Sequence, residues 1–366
     1  MLSRGVRAAA WAAILGLLGA AAFSGRAHAA CTALCAGPPN SIVAPNTSGF
    51  GSAQAGVTDL GTHFMQMLDG IMSSRNAASP RNNPQGGGAD TTDPRYRTWF
   101  EGYGLGSRTS AQGDFPGDHR RTFGGVAGFG VNLTPDAMVG LSIDQGRTKI
   151  DITGLPQHGT INLTQIGALG AVSKGPWQLN TMAIYGFGNI HSERIDAGGI
   201  PTASYGASLW ATMAELTYYV SLPDNSRIVP KLTVDGTWTH TDAFAEVGGA
   251  LPVTGTAVNS SRGRMMIGGE VGHTWLMERT IMDFLVYARF VDNFIQHVGA
   301  IQISDPAGGF TPQPVIGIRE STQGADAGAT LSAKLSEMTR VYAVYDGRFR
   351  SNFTSHSATI GAEFKF

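Results

Sequence analysis

SATIGAEFKF, residues 357–366, alternates apolar and polar side chains up to the last position of the chain. In an extended strand the apolar residues would share one side: Ala358, Ile360, Ala362, Phe364 and Phe366. A soluble protein rarely leaves such a strand as an uncovered edge, because the edge promotes aggregation. A transmembrane β-barrel needs it, since the last strand pairs with the first and turns its apolar side to lipid. The stretch therefore predicts a lipid-facing strand that closes a barrel.

Composition favours the same class. Gly accounts for 50 of 366 residues and charged residues for 14%, against usual shares of roughly 7% and roughly 25%. No long uncharged apolar run follows residue 29, which argues against a transmembrane helix. A soluble β-sandwich with many turns is the alternative on composition alone. The net charge of −1 argues against a nucleic-acid partner.

Residues 1–29 have the pattern of a secretory signal peptide. Two arginines precede an apolar stretch over residues 8–23, and Ala27 and Ala29 form an A-x-A cleavage sequence. The apolar stretch is too short for a spanning helix. We therefore expect the mature protein to begin after Ala29, in an extracytoplasmic compartment.

The two cysteines, Cys31 and Cys35, lie just after the predicted cleavage site. In an oxidising periplasm we expect them to close a small disulfide loop. Lipidation of Cys31 is an alternative, but no leucine-like residue stands three positions before it. No His or acidic residue close by adds a metal ligand, so we predict no metal site.

Three segments separate the signal peptide from the strands. Residues 30–56, rich in Ala, Pro, Gly, Asn and Ser, are predicted to be irregular. Residues 57–74 repeat apolar side chains at helical spacing and predict a helix, with Thr58 and Asp59 as caps. Residues 75–95 contain Pro, Gly, Asn and Asp with little that is apolar, and predict a flexible linker.

From Tyr96 onward the period of the apolar pattern is two. Turn sequences such as Thr134-Pro135-Asp136 separate the alternating runs. The pattern predicts twelve strands, at residues 96–107, 119–133, 137–151, 159–173, 177–193, 203–221, 227–243, 257–276, 280–296, 315–335, 339–349 and 356–366. An even number of strands, with both termini on the side of the short turns, is what a single-chain outer-membrane barrel requires. The predicted fold is an all-β membrane protein, a twelve-stranded antiparallel transmembrane β-barrel over residues 96–366 with a preceding short α-helix.

The polar sides of the strands carry opposite charges, as expected for an enclosed polar lumen in which charges pair. The expected pairs are Arg264 with Glu270, Asp283 with Arg289, Asp346 with Arg348, and Glu363 with Lys365.

Residues 96–366 resemble the translocator (β-) domain of the autotransporters, the type V secretion family. The resemblance rests on WFEGYG at residues 99–104, TFGGVAGFG at 122–130, AMVGLS at 137–142 and the ending on Phe366. It implies a barrel with a helix threading the lumen, and the helix predicted at 57–74 stands at the expected place. It also implies that Phe364 and Phe366 form the signal recognised by the barrel-assembly machinery.

The sequence departs from this family in three respects. Members usually carry a large passenger before the helix, whereas only residues 30–56 are available here, so we expect export or anchoring of a very short segment. The linker of about twenty residues is long. The helix is more apolar than a lumen helix should be. Packing against another apolar surface, by Phe64, Met65, Met67 and Met72, is therefore the alternative to a plug. No Asn lies in 57–74, so no autocatalytic release site is assigned.

No enzymatic motif is recognised: Gly-x-Ser-x-Gly, His-Glu-x-x-His, P-loop and paired-cysteine zinc patterns are missing from the sequence. His191, Glu193 and Asp196 lie together near the end of a predicted strand, where an outer-membrane hydrolase could place its site. A solvated rim is the preferred explanation for them, so we predict no catalytic residue, no enzyme and no cofactor. A general pore or a surface-interaction protein is a further alternative.

We expect the protein in the outer membrane of a Gram-negative bacterium, as a monomer. Its expected partners are outer-membrane lipid, the barrel-assembly machinery and periplasmic chaperones.

Overall fold

One closed antiparallel sheet around a helix dominates the structure, a computed structural model that describes residues 46–77, 94–196, 198–277 and 280–366. The predicted cleavage residues Ala27 and Ala29, the two cysteines Cys31 and Cys35, and most of the predicted linker lie outside these described residues.

Twelve strands build the barrel wall, as predicted. They are β1 (Tyr96–Thr109), β2 (Asp118–Thr134), β3 (Ala137–Ile152), β4 (Gln157–Lys174), β5 (Trp177–Arg194), β6 (Thr202–Tyr218), which continues as the short β7 (Val220–Leu222), β8 (Ser226–Thr241), β11 (Val258–Leu276), β12 (Ile281–Val298), β15 (Gln323–Lys334), β16 (Thr339–Arg350) and β17 (Phe353–Lys365). Four short strands lie outside the wall: β9 (Phe244–Ala245), β10 (Thr254–Gly255), β13 (Ala300–Ser304) and β14 (Gln313–Ile316).

The barrel closes between its first and last strands. β1 pairs with β17 from Arg97 opposite Lys365 to Thr109 opposite Phe353. At the seam, the N–H of Tyr96 donates to the carbonyl of Phe366 at 2.9 Å, and the N–H of Phe366 donates to the carbonyl of Tyr96 at 2.9 Å. β11 pairs with both β8 and β12, so the wall has no free edge. The predicted role of the terminal strand in closure is therefore confirmed.

Strand alternation gives the wall two different faces. Ile360 on β17 points outward and is 72% exposed, whereas Glu363 three residues later points into the lumen and is 2% exposed. Glycine on one strand makes room for aromatic rings on the next: a Cβ at Gly128 would lie 2.1 Å from the indole of Trp99. The outward face carries the apolar side chains that lipid requires.

The two ends of the barrel differ. The connections after β2, β4, β7, β11 and β15 are short, and we call this end the turn end; Tyr96 and Phe366 also lie there. The connections after β1, β3, β5, β8, β12 and β16 form the other end, the loop end. β9, β10, β13 and β14 make a separate four-stranded sheet in two of these loops. In outer-membrane barrels the short turns face the periplasm and the long loops face outward.

The helix α1 (Ser48–Ala77) has 30 residues, so it is about 45 Å long. It begins nine residues before the predicted start, and Thr58 and Asp59, predicted as caps, lie in its interior. The side chain of Asn46 accepts a hydrogen bond from the N–H of Ser48 at 3.0 Å and is the observed cap. The prediction that 30–56 is irregular is thus wrong from Ser48 onward, because burial in the lumen outweighs the weak helix propensity of Ser and Gly. None of the helical segments in the described residues has the length and hydropathy of a membrane-spanning helix.

The tenth strand was predicted at 315–335, but β15 begins at Gln323. Residues 317–322 leave the wall, and Glu320 lies largely buried among lumenal arginines instead of continuing the sheet. The prediction failed here because an ion-pair network between distant segments determines the path, and local alternation does not reveal it.

Candidate functional site

The lumen holds α1 along the barrel, and the helix ends contact opposite ends of the wall. Near its start, the N–H of Gly49 donates to Gln157 at 3.0 Å and the hydroxyl of Ser52 donates to Asp118. Near its end, Gln178 donates to the carbonyl of Met72 at 3.2 Å. Because Gln157 and Asp118 belong to the loop end and Gln178 to the turn end, α1 passes through the lumen with its N-terminus at the loop end.

One side of α1 packs on an apolar stretch of wall formed by β3, β4, β5 and β6. Glycines bring the two surfaces together: a Cβ at Gly56 would lie 2.7 Å from Ile161, and a Cβ at Gly167 would lie 2.8 Å from Leu68. Phe64 is fully buried in the same contact. The sequence left two alternatives for the helix, a plug in the lumen or packing on an apolar surface. Both are correct, because this part of the lumen is itself apolar.

The opposite side of α1 is tied to the wall by charge. Asp59 accepts from Arg120 on β2 at 2.5 Å and from Arg348 on β16 at 3.2 Å. Thr62, one helical turn further, accepts from Arg262 on β11. Buried charge-assisted hydrogen bonds of this kind are among the stronger polar contacts in a protein. They hold α1 to the part of the wall where charged side chains point into the lumen.

Glu320, which sequence reasoning assigned to a strand, completes this charged half. It pairs with Arg262, with Arg348 at 3.0 Å and with Arg350 at 3.8 Å. Burial by itself would raise the pKa of the Glu320 carboxyl, but the surrounding guanidinium groups, Arg262 foremost, hold its pKa well below the usual range. The segment 317–322 therefore supplies a permanent negative charge to an arginine cluster. In the sequence, the excess of arginine over acidic residues on β11 and β16 indicates that these strands need an acidic partner from elsewhere in the chain.

A second network lies closer to the turn end. Lys231 contacts Glu270 at 2.5 Å and Glu215 at 3.2 Å, and its amine also donates to the hydroxyl of Ser73 on α1 at 2.9 Å. Arg289 lies 3.7 Å from Asp69 of the helix. Both halves of α1 are thus held by ionic contacts to the wall.

The charge pairs expected within single strands are replaced by pairs across strands. Arg264 pairs with Asp235 at 2.5 Å, and Asp283 pairs with Arg227 at 2.6 Å. Neighbouring strands lie about 4.8 Å apart, whereas lumen-facing residues of one strand are about 6.8 Å apart. The shorter separation favours Asp235 on the adjacent strand β8 as the partner of Arg264, whereas Arg227 of β8 reaches Asp283 of β12 over Gly272 of the intervening strand β11. The enclosed, paired lumen itself was predicted correctly.

The loops cover the start of the helix. The ring of Phe50 stacks on Phe244 of β9 at 4.0 Å, and Tyr205 stacks on Phe244 at 4.9 Å. Ile301 and Ile303 of β13 are buried in the same core. The four-stranded sheet therefore packs over the loop-end start of α1.

A cavity of about 50 Å³ lies beside the helix, between Gln54, Thr58 and Asp59 of α1 and Arg262 and Gln296 of the wall. A buried water needs roughly 10–15 Å³ of such space, so the cavity has room for roughly four. The cavity by itself is therefore far smaller than a wide channel. Within the described residues, no group of three or more His, Cys, Asp or Glu side chains could hold a metal ion.

A model of the autotransporter β-domain matches residues 98–346. The chain belongs to the autotransporter β-domain family. This autotransporter barrel is accordingly an outer-membrane component of a Gram-negative bacterium, as the sequence predicted. No curated protein sequence matches it significantly.

Solved structures of autotransporter barrels share its fold. The translocator domain of NalP from Neisseria meningitidis superposes with a TM-score of 0.66 at 13% identity, covering 87% of this chain and 98% of that one. The β-domain of the Bordetella autotransporter BrkA gives 0.56 at 18% identity, covering 74% and 100%. The transport unit of AIDA-I from Escherichia coli gives 0.50 at 11% identity, covering 81% and 98%. Identities this low show similarity of fold alone.

The rim residues singled out in the sequence do not form one cluster in this autotransporter barrel. The imidazole of His191 lies 2.9 Å from the hydroxyl of Ser204, on the outward face. Asp196 instead accepts backbone hydrogen bonds from Gly198, Ala250 and Leu251 at 2.8–3.1 Å. The bond from Leu251 is the main reason that the pKa of Asp196 lies below its usual value. Asp196 therefore joins two loops.

Proposed function

We propose that this barrel carries the polypeptide that precedes α1 to the cell surface and then anchors it there, with α1 closing the pore. The observation that supports this most directly is the direction of α1. Its N-terminus lies at the loop end, and the chain after its C-terminus continues to β1 at the turn end. With short turns in the periplasm, residues before Ser48 would emerge outside the cell.

Surface labelling tests the direction of transport. A short epitope tag inserted at residue 45 should bind a membrane-impermeant antibody on intact cells. The matched control is the same tag between Asp224 and Asn225, in a connection at the turn end. That control should be labelled only after the outer membrane is permeabilised. Labelling of the tag at residue 45 only in permeabilised cells would contradict the proposal.

Bilayer conductance tests the plug. Deletion of residues 30–77 removes α1, its ion pairs with Arg120, Arg289 and Arg348, and its hydrogen bond from Lys231. We expect this variant to show large steady conductance. Deletion of residues 30–45 leaves α1 in place and should keep the conductance low. Equal conductance of the two variants would argue against closure by α1.

In this proposal the protein acts as a conduit and an anchor, with no catalytic step of its own. Its partners are outer-membrane lipid, periplasmic chaperones and the barrel-assembly machinery, and its functional unit is one chain. The reciprocal bonds between Tyr96 and Phe366 support a role for the terminal residue in assembly, because they are the last rung of the closing seam.

A further inference from the structure

A cluster of basic side chains covers the outward face of β1, β2 and β3 at the loop end. Arg108, Arg121, Arg147 and Lys149 all point away from the lumen and are exposed. We name these four residues the outer basic patch. They do not take part in the lumenal networks that hold α1, so the plug does not explain them.

The register of the sheet brings these charges close to one another. Arg121 on β2 lies directly opposite Lys149 on β3, and Arg147 lies two residues from Lys149 on the same face. Directly opposite side chains have Cβ atoms about 5 Å apart, and like charges at that distance are destabilising. A structure that places such a pair outward gains stability when an anion lies between the two charges.

The protein supplies little of that negative charge itself. Asp151 accepts from Arg121 at 2.9 Å and also lies 2.9 Å from the imidazole of His158. Among the residues that the structure describes, no carboxylate lies within 4 Å of Arg108, Arg147 or Lys149. Within the described part of the chain, three cations of the patch therefore have no carboxylate partner.

The patch lies at the level where the apolar face ends. Phe123 on β2 points outward, is 71% exposed, and is directly opposite Arg147. Leu133, ten residues further toward the turn end, is also exposed. Ten strand residues span about 33 Å along the strand, which at a tilt of about 40° covers about 25 Å of the membrane normal, the height of the apolar band in such barrels. The basic side chains thus begin at the upper border of the band, which is the headgroup level of the outer leaflet.

The patch is confined to one sector of the barrel. At the same end, β5 turns Glu193 outward, and Asp242 after β8 lies 3.3 Å from the imidazole of His240. A uniform basic belt for general adhesion to anionic lipid would not be interrupted by acids in this way. A local site for one headgroup explains the distribution better.

We propose that the outer basic patch binds the phosphate groups of lipopolysaccharide in the outer leaflet. Guanidinium groups match phosphate oxygens with two parallel hydrogen bonds, and lysine adds a compact charge. Arg147 and Lys149 on β3 are the principal ligands, Arg121 on β2 and then Arg108 on β1 extend the site to one side, and the acyl chains lie along Phe123 and Ile143 toward the turn end. The site does not depend on whether the barrel exports its N-terminal segment.

Binding of purified full-length protein to lipopolysaccharide tests the proposal, with native mass spectrometry of the bound lipid as the readout. The double variant Arg147→Gln/Lys149→Gln should bind at least tenfold more weakly than wild type. The matched control Lys174→Gln/Arg319→Gln removes one lysine and one arginine that are exposed outside the patch and should bind within twofold of wild type. The exchange variant Arg147→Lys/Lys149→Arg keeps both charges and should bind within threefold.

Two other lipids and inorganic phosphate test whether the phosphate groups of lipopolysaccharide are the ligand. Dephosphorylated lipopolysaccharide and phosphatidylglycerol should each bind wild type at least tenfold more weakly, and 10 mM inorganic phosphate should not displace the lipid. Wild-type binding of dephosphorylated lipopolysaccharide or of phosphatidylglycerol as tight as that of lipopolysaccharide, or displacement of the lipid by inorganic phosphate, would overturn the assignment. Unchanged binding by the double variant would also overturn it, provided that the variant shows the heat-modifiable gel mobility of a folded barrel.

Discussion

Replacing Asp59 by Asn tests whether charge holds α1 in the lumen. Asp59 is buried at 5% exposure and bonds Arg120 at 2.5 Å and Arg348 at 3.2 Å. The substitution preserves the shape of the side chain but removes one negative charge from a cluster that also contains Arg262 and Glu320. Breaking a buried ion pair by removing one partner costs about 3–5 kcal/mol. The lower figure applies, because Glu320 and Asp118 share the same arginines.

A cost of about 3 kcal/mol corresponds to a change of roughly 100-fold in an equilibrium constant. We expect the ratio of open to closed time in planar-bilayer recordings to rise by about that factor for Asp59→Asn. The control Asp224→Asn removes the same charge from an exposed turn whose left-handed backbone, with φ of 60°, suits Asn. If the ratio of open to closed time for Asp59→Asn lies within threefold of the ratios for wild type and for Asp224→Asn, the argument that ionic contacts hold the plug is refuted.

Three further predictions concern the loop, the seam and the wall. Glu320→Gln should lower the free energy of unfolding by a constant amount from pH 8 to pH 5, and by less as pH falls below about 4.3, the pKa of Glu in the unfolded chain. The reason is that a carboxyl whose pKa is lowered in the folded state stabilises the fold above its unfolded pKa and loses that contribution on acidification. Urea titrations at several pH values measure the effect, and a difference that already shrinks near pH 6 would be inconsistent with it. Phe366→Asp should mainly lower the amount of inserted barrel, because a charge near the interface costs at most about 1 kcal/mol once the barrel is folded. Wild-type amounts of heat-modifiable protein in outer-membrane fractions would show that the terminal aromatic is no assembly signal. Gly128→Val places a side chain where a Cβ alone would lie 2.1 Å from the buried indole of Trp99. The yield of folded barrel should therefore fall severalfold, and it should recover in the double variant Gly128→Val/Trp99→Ala. A normal yield for the single variant would contradict this packing of Trp99 against Gly128.

The wall was predictable because each strand alternates within itself. Lipid and lumen impose opposite chemistry on successive residues, so runs such as 357–366 reveal both faces without knowledge of their partners. The helix was predictable in position but not in length. Residues 48–56 carry Gly and Ser that disfavour an isolated helix, and only the lumen around them makes the helical path favourable.

The interior of the lumen was less accessible to sequence reasoning. Ile150, Ile161 and Leu209 point inward, and the outward residues of these strands include both apolar and charged side chains, such as Ile143 and Lys149, so alternation does not show that they form a seat for α1. Glu320 was assigned to a strand because the residues around it alternate locally. Its position depends on Arg262 and Arg348, which are distant in sequence and adjacent only once the barrel has closed.

The orientation of α1 has a mechanical consequence for anything attached before Ser48. An outward pull would be resisted first by shear of the helix along the wall. If those contacts yielded, the chain would still be covalently joined to β1. The 30 residues that occupy about 45 Å as a helix would extend to about 100 Å when unravelled. The attachment could therefore lengthen by roughly 55 Å under force before the barrel seam carried tension, so a surface segment on this barrel would be held by an extensible tether.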